Sequence, residues 1–215
     1  DLSHAGKGKS HGWFFFTCYN SEQANTLLEV NASQNDKDFI MAVNWKKAEE
    51  YIKAGKGKIE KTKYAHNTWN DETHTGTSVI KDEVLVLDAM AMKDICYLMP
   101  CPKSPHGCDV DPTGEYIVGS GKLAALIPVF SFDKMVKAIG KKDYEGDYEG
   151  IPVLKYNSVL HGEVQKPGLG PLHTEFDGRG NAYTTFFVSS EVVKWDIKTL
   201  KVLDRVPTYY SVGHL

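Results

Sequence analysis

Two stretches of this chain repeat one design, and the repeat constrains the fold more than any other feature. The first runs from His106 through Asp111-x-x-Gly114 to "YIVGSG" and then "VFSFD", ending at Asp133. The second runs from His173 through Asp177-x-x-Gly180 to "AYTTFF" and then "VVKWD", ending at Asp196. Each unit is a histidine, a tight Asp-Gly turn, two strands and an aspartate at the outer corner. Repeats of this strand–turn–strand kind are the signature of a β-propeller, whose blades are four-stranded sheets around a central channel. A sandwich also supplies short strands and turns, but it gives no reason for the same histidine before the same turn twice. The expected class is mainly β, a partial propeller with short helical insertions.

The rest of the pattern agrees. Strands are predicted at Val84–Met90, Glu115–Gly121, Leu126–Asp133, Asn181–Val188 and Glu191–Ile197, and "WFFFTCY" is an apolar run of strand length. Trp45, Ala48, Tyr51 and Ile52 keep helical spacing up to Gly55, and Phe132, Met135, Val136 and Ile139 do so up to Gly140. "KAGKGKIEKTK" reads as a solvated helix end and loop, and "HNTWNDETHTG", with His66 and His74, as a polar loop.

In a propeller, equivalent positions of successive blades fall on one face around one axis, so single histidines from separate blades can converge. A third candidate, His214 in "TYYSVGHL", lies 41 residues beyond His173, close to the repeat length of about 40–45 residues in such folds. Neutral imidazole suits copper, zinc, iron and nickel, and a histidine cluster without adjoining carboxylate ligands points to copper or zinc. His106 alone reads better as a turn or rim residue; the matched setting of His173 and the spacing of His214 tip the balance to a ligand. Asp109, Asp111, Glu175 and Asp177 are near enough in sequence to orient such histidines or simply to set turns. His4, His11 and His161 have no organised neighbours. Cys96, Cys101 and Cys108 lack the Cys-x2-Cys knuckle of a structural zinc site and read as small buried hydrophobes.

Composition excludes several classes. A net charge of −3 gives no electrostatic case for nucleic acid or an anionic membrane. No segment approaches the roughly 18 apolar residues of a membrane span, and the first ten residues lack the pattern of a signal peptide. Four cysteines are too few for a disulfide framework. No P-loop or Rossmann fingerprint is present.

The stretches "SPHGCDVDPTGEYIVGSGKL" and "GLGPLHTEFDGRGNAYTTFFVSSEVVKWDI", with the closing "GHL", resemble nitrous oxide reductase over nearly the whole chain. The resemblance implies a homodimer of a seven-bladed β-propeller joined to a C-terminal cupredoxin domain. The propeller carries CuZ, a four-copper sulfide cluster held by histidines, and the cupredoxin domain carries dinuclear CuA. It also implies reduction of nitrous oxide to dinitrogen and water in the periplasm, with electrons from a donor such as a small c-type cytochrome or cupredoxin. His106, His173 and His214 match three CuZ ligand positions. Tyr19 and Glu22 in "YNSE" match calcium ligands, Asp38 is similar to a third, and Ser104 falls where a residue just ahead of the "PHG" histidine contributes. The loop from Leu28 to Lys37 differs in length from the better-known branch. The family's adjacent histidine pair, another upstream ligand, the last ligand and the CuA domain have no match in residues 1–215, so the chain is expected to be an internal piece of the catalytic propeller. Two other readings stay open on the residues: a copper-free propeller serving as a binding or scaffold module, and a propeller hydrolase using one calcium or zinc.

Overall fold

The computed structural model describes residues 3–18, 37–70 and 75–215. Among them the chain forms, in order, β1 (Ser3–Ala5), β2 (Trp13–Cys18), β3 (Lys37–Asn44), α1 (Trp45–Lys53), β4 (Lys58–Asn70), β5 (Thr75–Val86) and β6 (Cys96–Pro102). There follow β7 (Pro105–Val110), β8 (Tyr116–Gly121), β9 (Leu126–Ser131), α2 (Phe132–Lys141), β10 (Tyr144–Tyr148), β11 (Ile151–Leu154), α3 (Tyr156–Val159) and β12 (Leu160–Gln165). The last strands are β13 (Pro171–Phe176), β14 (Asn181–Phe186), β15 (Glu191–Asp196) and β16 (Val202–Pro207). The protein is mainly β, as expected.

The strands sort into three successive four-stranded antiparallel meanders: β1-β2-β3-β6, β7-β8-β9-β12 and β13-β14-β15-β16. The sequence repeat shows the second and third. The first has the same order, with its histidine, His4, on its opening strand. Insertions enter the first two meanders at the same point, between their third and fourth strands. In the first the insertion is α1 and the β4–β5 hairpin. In the second it is α2, β10, β11 and α3, and its β11 lies parallel against β6, extending the first sheet to six strands.

Alternation along the strands decides how the sheets pack. In β2, Trp13 and Phe15 are buried while Phe14 and Phe16 are partly exposed. Trp13, Phe15, Ile40, Ala42 and Met99 of the first sheet pack against Val110, Ile117 and Phe130 of the second, with Met135 of α2 closing the layer. The opposite face of the second sheet presents Val118, Ile127, Val129 and Val164 to Ala182, Phe186, Val193 and Trp195 of the third. The sheets are therefore stacked face to face in chain order, each burying a side against its successor.

Several local expectations are corrected. The strand predicted at Val84–Met90 ends at Val86, because Asp88 turns the chain by accepting the Met90 N–H at 2.9 Å. The lysine-rich stretch continues as β4 from Lys58, and residues 66–70 of the supposed polar loop complete that strand; His74 lies outside the described residues. Gly140 does not stop α2. Lys142 does, by adopting the left-handed conformation (φ 54°) and donating its N–H to Ala138 O and Ile139 O. Asp133 is not the counterpart of Asp196. It sits in the first turn of α2, where Ser131 Oγ caps Lys134 N–H, whereas Asp196 closes a β-corner by accepting the N–H groups of Lys198 and Thr199. "KDFIMAVN", which carries Asp38, is β3.

Candidate metal centre

His106 is the second residue of β7 and His173 the third of β13, so each lies within the opening strand of its meander rather than in the turn behind it. The turns are built by other residues. Asp111 accepts the N–H groups of Tyr116 and Thr113 at 2.9 and 3.1 Å, and Asp177 those of Arg179 and Asn181 at 2.8 and 3.2 Å. Asp111, Asp177 and the exposed Glu175 are thereby turn or surface residues.

The two strands meet at close range because Gly107, the residue after His106, has no side chain. A methyl group there would stand 2.1 Å from the carbonyl oxygen of Leu172, the residue before His173. Asp109 completes the joint, accepting the Thr174 N–H through Oδ2 at 2.8 Å. Behind His173 the third sheet is stiffened by buried hydroxyls. Thr185 Oγ1 accepts the His173 N–H at 3.3 Å, and Thr184 Oγ1 lies 2.7 Å from Thr174 Oγ1 while accepting Trp195 Nε1–H at 2.9 Å.

The result is a cluster of three imidazoles from separate parts of the chain. The ring centroids of His106 and His173 are 4.9 Å apart at 78°, those of His106 and His214 are 6.0 Å apart at 71°, and His173 and His214 stack at 4.2 Å and 23°. His173 is buried, His106 half-buried and His214 exposed. His106 Nδ1 and His173 Nε2 are both buried with no hydrogen-bond partner among the described residues. Two orphaned ring nitrogens are costly to keep unless something binds them. Desolvation, followed by the nearby His173 and His214, lowers the His106 pKa to about 4, so its ring is neutral and its lone pair available at pH 7. Among the described residues, no group of three or more His, Cys, Asp or Glu side chains is arranged to hold one metal ion. The three ring centroids instead form a compact triangle with sides of 4.2, 4.9 and 6.0 Å.

Asp109 is the carboxylate nearest the cluster. Burial pushes its pKa up, but His173, His4 and the Thr174 N–H outweigh burial and hold it below its ordinary value. Its Oδ1 lies 3.8 Å from His173 Nδ1 and 3.7 Å from His4 Nδ1. The His4 nitrogen accepts the Val110 N–H at 3.2 Å, so in the neutral ring it has no proton to offer, and the stabilising weight falls on His173 and Thr174. His4 thus has organised neighbours in space that its sequence does not reveal.

Of the residues expected to bind calcium, Tyr19 and Glu22 lie outside the described residues. Asp38 and Ser104 come together: both are buried, and Ser104 N–H donates to Asp38 Oδ2 at 2.8 Å. Ser104 is held at φ 60°, and its buried Oγ has no hydrogen-bond partner among the described residues. Cys96, Cys101 and Cys108 are buried thiols that form no disulfide among the described residues; Cys108 donates to Phe15 O at 3.3 Å, and burial pushes the Cys101 thiol up. No helix among the described residues is long and apolar enough to cross a membrane.

No protein-family model matches the chain. It is similar to nitrous-oxide reductase of Stutzerimonas stutzeri, 32% identical over 211 residues, covering 93% of this chain and 28% of that protein. It is also similar to nitrous-oxide reductase of Pseudomonas fluorescens, 34% identical over 208 residues, covering 92% and 28% respectively. A third relative, nitrous-oxide reductase of Ralstonia nicotianae, is 38% identical over 125 residues, covering 53% of this chain and 18% of that protein. The chain thus spans 28% of the length of the first two relatives.

Proposed function

The chain belongs by sequence to the nitrous-oxide reductase family, and from that premise we propose that it is part of the catalytic β-propeller that reduces nitrous oxide to dinitrogen and water with two electrons and two protons. The observation that carries the reading is the convergence of His106, His173 and His214, two of which keep a buried ring nitrogen unpartnered among the described residues.

The donor set fits copper. All three side chains are imidazoles, His106 is neutral at physiological pH, and among the described residues no carboxylate pairs with the orphaned nitrogens. His106, His173 and His214 would hold part of a four-copper sulfide cluster, CuZ. When bound, that cluster supplies a metal edge for a weakly coordinating, kinetically inert substrate together with the electrons its reduction requires. The chain's own task is to hold the imidazoles still. Gly107 lets the strands approach, Asp109 ties β7 to β13, and the Thr174–Thr184–Trp195 network fixes the sheet behind His173.

Three face-to-face four-stranded meanders support the propeller; seven blades rest on the family resemblance. A calcium ion at Asp38 and Ser104, with Tyr19 and Glu22, is supported by the orphaned Ser104 hydroxyl beside a buried carboxylate. The CuA cupredoxin domain, the homodimer, the periplasmic location and a donor such as a small c-type cytochrome or cupredoxin are proposed for the whole protein from its relatives.

The test is the metal content of the full-length protein and of its His173→Ala variant. Copper and sulfide are expected in the first, and loss of CuZ copper with retained fold in the second. A folded, copper-free protein that does not reduce nitrous oxide would favour the binding or scaffold module instead.

A further inference from the structure

We propose that Asp109 is a positioning residue that fixes the tautomer of His173, keeping the proton on Nδ1 and the lone pair of Nε2 pointed at the metal. The inference rests on the copper reading above. A neutral imidazole has one N–H and one lone pair, and a metal can use only the nitrogen without the proton. The orphaned, buried nitrogen of His173 is Nε2, and the other nitrogen faces Oδ1 of Asp109 at 3.8 Å. A carboxylate can only accept, so this placement favours the proton on Nδ1. The gap closes to hydrogen-bonding length with a movement of about 1 Å.

Two further contacts make the arrangement specific. Asp109 cannot swing away, because Oδ2 is held at 2.8 Å by the backbone N–H of Thr174, the residue next to His173. The ligand and its carboxylate therefore move together. The other imidazole near Oδ1, His4 at 3.7 Å, cannot supply the proton instead, because its Nδ1 accepts the Val110 N–H. The capacity of Oδ1 is left for His173. Carboxylate–histidine–metal triads work this way, and losing the outer carboxylate typically weakens metal binding about 10- to 100-fold. The sequence offers four acidic residues near the two histidines. Only Asp109 faces a ligand ring; Asp111 and Asp177 are spent on their turns.

The experiment uses the full-length protein in metal-free form, wild type and the variants Asp109→Asn and His173→Ala, titrated with copper(I) against a chromophoric chelator. In Asp109→Asn the amide oxygen can still accept the Thr174 N–H, so the melting temperature should stay within a few degrees while copper affinity falls about 10- to 100-fold. Selective 15N-histidine spectra of the metal-free wild type should show His173 protonated at Nδ1, and in Asp109→Asn this preference should be lost. A wild-type ring protonated at Nε2 overturns the proposal even if the variant does not fold. So does an Asp109→Asn protein with unchanged copper affinity, or one whose affinity falls while the tautomer stays on Nδ1. If His173→Ala itself leaves copper affinity unchanged, His173 is not a ligand and the copper reading falls first. If only His173→Ala weakens binding, the copper reading stands and the role of Asp109 is refuted.

Discussion

Replacing Thr184 by valine tests whether the hydroxyl network behind His173 holds that strand in place. The substitution keeps the shape of a fully buried side chain and removes one oxygen. That oxygen accepts the Trp195 indole N–H at 2.9 Å and shares a hydrogen bond with Thr174 Oγ1 at 2.7 Å. Trp195 and Thr174 are themselves buried, so neither released group can turn to water. Each lost bond contributes about 1 kcal/mol, and stranding a buried polar group costs about 1–3 kcal/mol, so Thr184→Val should cost roughly 2–4 kcal/mol. In a chain of this size that lowers the melting temperature by about 5–15 °C. Thr184→Ser keeps the oxygen, loses one methyl and should cost only about 0.5–1.5 kcal/mol. Urea denaturation followed by far-UV circular dichroism compares the two. A valine variant as stable as the serine variant would show that the network carries no net energy and that β13 is held by apolar packing alone.

Gly107→Ala should force β7 away from β13, since the added methyl meets the Leu172 carbonyl; about 1–3 kcal/mol of stability and a share of the copper content should be lost, read by thermal melting and metal analysis of the full-length protein. Lys142→Gly should stabilise the fold by about 1 kcal/mol or less in urea denaturation, because the left-handed position at the end of α2 no longer carries a side chain. Asp177 is held at a pKa of about 2, below the ordinary 3.8, chiefly by the Asn181 side chain and the Arg179 N–H. Its folded-state value is depressed, so its contribution is present above pH 3.8 and is lost as pH falls toward 2. Any stability difference between wild type and Asp177→Asn should therefore shrink over that window, and a difference independent of pH would contradict the assignment.

Much of the second and third meanders was legible in sequence. β8 and β14 follow turns whose aspartates announce themselves by Asp-x-x-Gly spacing. The first meander was not, although it has the same order, because His4 leads into a 3-10 turn at Gly8–Ser10 instead of an Asp-Gly turn. β6 escaped for another reason: Cys96 to Cys101 are all buried, so "CYLMPC" shows no alternation to count. The β4–β5 hairpin, rich in lysine and threonine, looked like loop. Local spacing revealed His106 and His173, but it could not separate Asp109 from Asp111. Which carboxylate faces the next sheet depends on how the two strands meet, and that is set by the buried faces of different sheets.

The opening strand of each meander carries the histidine, and it is also where the units are joined. β1, β7 and β13 are each the end strand of their meander, so one row of backbone groups has no neighbouring strand within the sheet. Such groups need partners when the sheets stack. The structure answers them with side chains from the preceding unit. His4 on β1 accepts the N–H of Val110 on β7, and Asp109 on β7 accepts the N–H of Thr174 on β13. The same step, an acceptor on one opening strand and an N–H on the next, thus occurs at both junctions. It draws the opening strands together near their histidines, while the insertions, placed between third and fourth strands, leave this seam untouched. The residues that join the units thereby also set the spacing of the imidazoles, which couples correct assembly of the sheets to the geometry of the metal centre.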